Sequence, residues 1–159
     1  MSKSLIVVDM QKGFMTKPNY VSLVSKIQSL IDSGNYEKIY FTKFVNRQGS
    51  LYQTKLNWFN LTDDDSTSLV VECDNATIFE KYGYGLTQEQ LNEIIALNEK
   101  EIDVCGVETE ACVYAIAFQL FDNGIFPNVL KNYVATATQR QEFAINLLIR
   151  QFGSIDERK

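Results

Sequence analysis

Two cysteines stand seven residues apart in "VCGVETEACV", residues 104–113, in a chain that contains no histidine. A thiol attacks as thiolate, so this stretch raises the question of what takes its proton. The missing histidines exclude a Ser-His-Asp triad, a Cys-His pair and any histidine-ligated zinc site. Cys73, Cys105 and Cys112 are an odd number without metal-ligand spacing, so free thiols are expected and no metal centre. Cys105 lies inside an apolar run and reads as a small buried hydrophobe. Cys112 lies just past that run, in the first turn of a helix if Thr109 is the N-cap. There the helix dipole and free backbone N–H groups favour thiolate. Asp9 follows "LIVV" directly. Ligands of open parallel sheets sit outside the carboxyl ends of the strands, so Asp9 and Cys112 face one edge. Lys81, in "FEKYGYG", reads on its own as a solvated surface lysine.

The elements that must position these residues alternate in type. "SLIVVD" (4–9) is continuously apolar up to its aspartate, as a buried central strand is. Residues 21–34 place Val21, Leu23, Val24, Ile27, Leu30 and Ile31 on one helical face and stop at Gly34. A strand is expected at 38–44, with short extended segments at 68–72 and 77–81. A Thr-x-x-Gln capping box opens a helix at 87–98. A strand at 101–107, a helix at 108–124, a strand at 125–130, a helix at 138–153 and a short strand near 154–156 complete the pattern. Such alternation predicts a three-layer α/β/α fold around a mainly parallel sheet, in a single domain over 1–159. The long segment 45–67, with Trp58 and Phe59, reads as a lid or substrate wall.

Composition narrows the partners. Of 159 residues, 45% are apolar and 22% charged, which suits a globular domain. Twenty acidic against fifteen basic residues leave a net charge of −5 without a basic cluster, so no nucleic-acid partner is expected. The first apolar run is too short for a signal peptide or a membrane span. A cytoplasmic protein with no membrane partner is expected.

The order of Asp9 after strand one, Lys81 before a glycine turn, and Gly-Val-x-Thr-x-x-Cys-Val at a strand-to-helix junction resembles the isochorismatase-like cysteine hydrolases. This superfamily includes nicotinamidases and N-carbamoylsarcosine amidohydrolases. "LIVVDMQKGF", "IFEKYGYGLT" and "VCGVETEACV" carry the likeness across nearly the whole chain. It implies a catalytic triad of Asp9, Lys81 and Cys112, with Asp9 as the base for the thiol and Lys81 orienting the carboxylate. It further implies an oxyanion hole from the backbone N–H groups of Glu108 and Cys112, with a cis peptide between Val107 and Glu108. A homo-oligomer is implied as well. The substrate class is a small amide or ureido compound, cleaved at its C–N bond with no cofactor.

Departures from the family sharpen this. Nicotinamidases carry an Asp-x-His…His metal site after strand two, where this chain has "YFTKFVNRQGSLYQTKLNW". Nicotinamidase is therefore disfavoured. Isochorismatases proper have another residue at the nucleophile position, so Cys112 points to C–N hydrolysis. Phe14, Trp58 and Tyr82 are candidate walls of a pocket for a small planar group. A non-catalytic metabolite- or partner-binding member of the same fold is the competing reading, and cysteine reactivity separates the two. A flavodoxin is disfavoured, because "DMQKGFMTKPN" has too few hydroxyls to cradle a phosphate.

Overall fold

A computed structural model describes residues 3–137 and 139–159. Five strands form one all-parallel sheet in the order β3-β2-β1-β4-β5. They are β1 (Ser4–Val8), β2 (Lys38–Phe44), β3 (Thr77–Lys81), β4 (Glu101–Val107) and β5 (Phe126–Ala135). The helices are α1 (Pro18–Asp32), α2 (Leu51–Thr54), α3 (Asp64–Thr67), α4 (Gln88–Ile95), α5 (Cys112–Asp122) and α6 (Gln141–Phe152). The expected parallel α/β architecture is borne out. No helix among the described residues is long and apolar enough to cross a membrane.

Strand alternation sorts the core into two layers. Leu5, Val7, Ile39 and Phe41 pack against Leu23, Ile27 and Ile31 of α1 on one face. Ile6, Val8, Tyr40 and Val104 pack against α4, α5 and α6 on the other. Every residue of β1 is buried, as befits a strand covered on both sides. The chain leaves β1 for β2 and β3 on one side and returns to β4 on the other. The gap past the ends of β1 and β4 is thus the topological switch point, where such sheets open a crevice.

Gly106 makes that gap possible. It pairs with Val8, sits at φ 112°, and a Cβ there would meet the Val8 carbonyl oxygen at 2.2 Å. Only glycine allows the β4 backbone so close to β1.

Several expected elements differ. β5 runs on to Ala135, because the polar Lys131 and Asn132 interrupt an apolar run but not the pairing of Val134 and Ala135 with β4. An edge strand tolerates such residues. Residues 68–72 are not a sheet strand. Leu69 makes a single antiparallel bridge to Gln11, and Val70 donates its N–H to the Met10 carbonyl at 2.9 Å, so this segment braces the turn after β1. The strand expected near 154–156 is one bridge between Leu130 and Asp156. The last helix begins at Gln141; its expected start at 138 lies outside the described residues.

Candidate active site

Asp9 ends β1 in the left-handed region, φ 49°, a conformation that aspartate tolerates better than most residues. The turn directs its carboxylate into the crevice, where the residue is fully buried. Thr42 on β2 fixes it twice. The Asp9 N–H donates to Thr42 Oγ1 at 3.0 Å, and the Thr42 hydroxyl donates to Asp9 Oδ1 at 2.6 Å. Oδ2 lies 3.1 Å from Lys81 Nζ and has no aligned hydrogen bond among the described residues. One carboxylate oxygen is therefore anchored and the other is left for chemistry.

Lys81 closes β3 and is also fully buried. Its ammonium donates to the carbonyls of Gly83 (2.8 Å) and Tyr84 (3.1 Å), which the glycine turn folds back over it, and pairs with Asp9. Burial alone would lower its pKa, but Asp9 and Cys112 beside it outweigh that and hold the lysine above its ordinary value. It stays a cation.

Cys112 is the first residue of α5 and stands against both groups. Thr109, expected as the N-cap, is not: the cap position is Ala111, with no capping side chain. Thr109 instead donates its N–H to Ala135 and its hydroxyl to Gln141 Oε1, stitching the β4–α5 connection to β5 and α6. Burial, followed by the Asp9 charge, pushes the Cys112 thiol well up, against the smaller lowering by Lys81. The Cys112 thiol thus stands against the Asp9 carboxyl group and the Lys81 ammonium.

The Val107–Glu108 peptide is cis. Among the described residues, neither the Glu108 nor the Cys112 amide donates to a backbone acceptor outside the helices and strands. As the first residue of an uncapped helix, Cys112 holds one of its orphan donors. Helix N-termini of this kind attract negative charge.

A cavity of about 180 Å³ opens over Cys112, walled by Phe14, Phe44, Tyr52, Trp58 and Tyr84. An apolar cavity of about 150 Å³ holds benzene, so this one suits a single small molecule. Phe14 and Trp58 stack at 6.2 Å, Phe44 and Trp58 at 5.9 Å, and Tyr52 meets both Phe44 and Tyr84 edge-on. The 45–67 segment is thus a wall, and it is anchored. Buried Asn46 donates to the carbonyls of Trp58 and Asn60. Buried Gln11 donates to Phe44 O and Thr67 O and accepts from the Phe44 N–H.

Of the expected pocket residues, Phe14 and Trp58 line the cavity and Tyr82 does not. Strand alternation buries Lys81 and turns Tyr82 outward, where its ring stacks on the Arg47 guanidinium and its hydroxyl donates to Glu80. Tyr84, two residues on, takes its place. Thr42, Gln11, Phe44, Tyr52 and the Glu108 side chain were not singled out from sequence. Phe44 alone had a legible signal, as the large apolar residue at the carboxyl end of β2.

The family model for the Isochorismatase domain matches residues 3–156. The chain belongs to that family. Among solved structures it is similar to N-carbamoylsarcosine amidase from Thermoplasma acidophilum, with a TM-score of 0.83, 17% identity, and 99% of this chain and 96% of that one covered. It is also similar to the pyrazinamidase of Pyrococcus horikoshii in complex with zinc (TM-score 0.84, 21% identity, 98% of each chain). Nicotinamidase from Bacillus subtilis aligns with a TM-score of 0.82 at 18% identity, over 99% of this chain and 100% of that one. At these identities the likeness concerns the fold. Comparison with curated protein sequences gives no match.

The residues of this family member do not fit a zinc ion like the one bound to the pyrazinamidase. No group of three or more Cys, Asp or Glu side chains gathers as a metal set among the described residues, and the chain has no histidine. Where β2 meets the cavity stand Phe44, Tyr52 and Trp58, packed on one another.

Proposed function

We propose that this chain is a metal-independent cysteine hydrolase that cleaves the C–N bond of a small amide or ureido compound. The observation that carries this reading is the buried Asp9–Lys81 ion pair against the Cys112 thiol, at the floor of an apolar cavity. A buried ion pair is weak support for stability, so a chemical role is its better explanation.

The substrate carbonyl lies over Cys112. As sulfur attacks the carbonyl carbon, its proton passes to Asp9 Oδ2, and the carbonyl electron pair moves onto oxygen. The backbone N–H groups of Glu108 and Cys112 receive that oxyanion, at about 3 kcal/mol per donor. When the C–N bond breaks, Asp9 returns the proton to the leaving nitrogen, and ammonia or an amine departs. Asp9 next takes a proton from water as it attacks the thioester carbon. The C–S bond breaks and the sulfur recovers the proton. Lys81 keeps its charge throughout, holding Asp9 in place and favouring negative charge on sulfur. A raised thiol pKa fits this scheme, because deprotonation is then coupled to attack instead of preceding it.

Ammonia release across a panel of small amides and ureides tests the proposal. At least one compound is expected to turn over, unchanged by a metal chelator and abolished by iodoacetamide. Silence across the panel, or activity lost to chelator and restored by zinc, would refute it.

A further inference from the structure

Behind the apolar cavity lies a second one of about 190 Å³, lined by Thr16, Lys17, Tyr20, Asn60 and Glu108. Phe14, Trp58 and Glu108 line both, so the two cavities adjoin. The second cavity is the more polar. Tyr20 is 1% exposed, and its buried hydroxyl is turned to the Glu108 carboxyl without an aligned hydrogen bond among the described residues. Beside it stand two carboxylates. Glu110 accepts from the Thr136 hydroxyl through Oε1, while its Oε2 is buried and has no hydrogen-bond partner among the described residues. Glu108 forms no ion pair with a described lysine or arginine. Burial, then the Glu110 charge, raises the Glu108 carboxyl. Burial, then the charge of Glu108, raises the Tyr20 phenol, which stays protonated. The one base on the lining, Lys17, is exposed.

An aromatic-walled compartment with a carboxyl group and a phenol oxygen able to accept calls for a cation that can also donate hydrogen bonds. We infer that this cavity is a subsite for a protonated amine, held by the Glu108 carboxylate, the Tyr20 phenol oxygen and the faces of Phe14 and Trp58. An ammonium gives charge-assisted bonds to the carboxylate and a cation–π contact to the rings. A carboxylate ligand would face the Glu108 carboxyl, and an alcohol would leave its charge uncompensated. Glu108 then serves two ends of one ligand, its backbone amide at the scissile carbonyl and its side chain at the far amine. The substrates are amides whose opposite end carries an ammonium group. That last step rests on Cys112 as the reacting centre, whereas the subsite itself does not.

Trp58 is the only tryptophan and lines both cavities, so its fluorescence reports binding directly. The protein is titrated at pH 7 and constant ionic strength with n-butylammonium, 1-butanol and butyrate. The ammonium is expected to bind at least tenfold tighter than either isostere. Glu108→Gln is expected to remove most of that preference, and Tyr20→Phe, which keeps the ring and its packing, to reduce it several-fold. Equal binding of the three, tighter butyrate, no binding, or a preference that survives both substitutions overturns the proposal. Ammonia release from 5-aminopentanamide against pentanamide then gives a second readout, with kcat/KM expected at least tenfold higher for the amino compound. Turnover of both without preference counts against the subsite. Ammonium selectivity without any turnover supports the subsite and counts against the cysteine hydrolase reading.

Discussion

Replacing Lys81 with methionine removes the ammonium and keeps most of the side-chain volume, leaving Asp9 fully buried with Thr42 still donating to it and no cation beside it among the described residues. An uncompensated buried charge of this kind costs about 3–5 kcal/mol. For a chain of this size 1 kcal/mol moves Tm by about 2–4 °C, so a fall of roughly 10 °C is expected. Asp9→Asn costs less, because Lys81 keeps the Gly83 and Tyr84 carbonyls. The double variant buries no charge at this point. It is expected to be about 2 kcal/mol more stable than Lys81→Met alone, a coupling typical of residues in contact. Urea denaturation of the four proteins at pH 7 measures this. The pH suits it, because a lysine raised on folding contributes its stability below the ordinary lysine pKa and loses it only as pH climbs through the folded value. All three variants are expected to release ammonia at least about 10²-fold more slowly than wild type, the double variant included. Strictly additive costs, or a Lys81→Met protein within 1 kcal/mol of wild type, would refute the picture of a tightly coupled pair kept for its chemistry.

Asp9→Asn is expected to act in opposite directions on reactivity and turnover. The Asp9 charge helps hold the thiol up, so the pH profile of Cys112 alkylation shifts lower while kcat falls by about 10²–10⁴-fold, the usual worth of a general base. Gly106→Ala, whose Cβ would run into Val8, is expected to leave insoluble protein or to lower Tm by more than 10 °C, read by thermal scanning. Cys105 and Cys112 are both raised by burial, so between pH 8.5 and 10 the unfolded chain loses protons that the folded chain keeps. Stability is present below that window and falls within it by about 1.4 kcal/mol per pH unit for each thiol. Urea midpoints across the window check this, and Cys105→Ala is expected to halve the slope.

Asp9 was legible because it directly follows a continuous apolar run, and Cys112 because it opens the helix after another; such runs end at the working edge of a parallel sheet. Lys81 read by itself as a surface residue. Its burial comes from the turn that wraps Gly83 and Tyr84 over it, so only the resemblance carried it. Thr42 was hidden, since a threonine in a strand is ordinary and its partnership with Asp9 depends on how β1 and β2 pair. Tyr82 was expected as a wall, but the strand ends at Lys81 and alternation turns Tyr82 to Arg47 and Glu80, while the turn brings Tyr84 to the cavity. Thr109 looked like a cap by residue type, but Ala135 and Gln141 claim its polar groups. Tyr20 and Glu108 are remote in sequence and meet only when α1 packs beside the β4–α5 connection.

The central claim is that Cys112 forms a covalent bond to the acyl part of the substrate. Turnover mixtures quenched in acid and mapped by mass spectrometry test it directly. The expected result is an adduct of the substrate mass less the leaving amine on the Cys112 peptide, absent from Cys73 and Cys105, with no ammonia from Cys112→Ala. Turnover with Cys112 unmodified at every time point, together with an active Cys112→Ala protein, would contradict it.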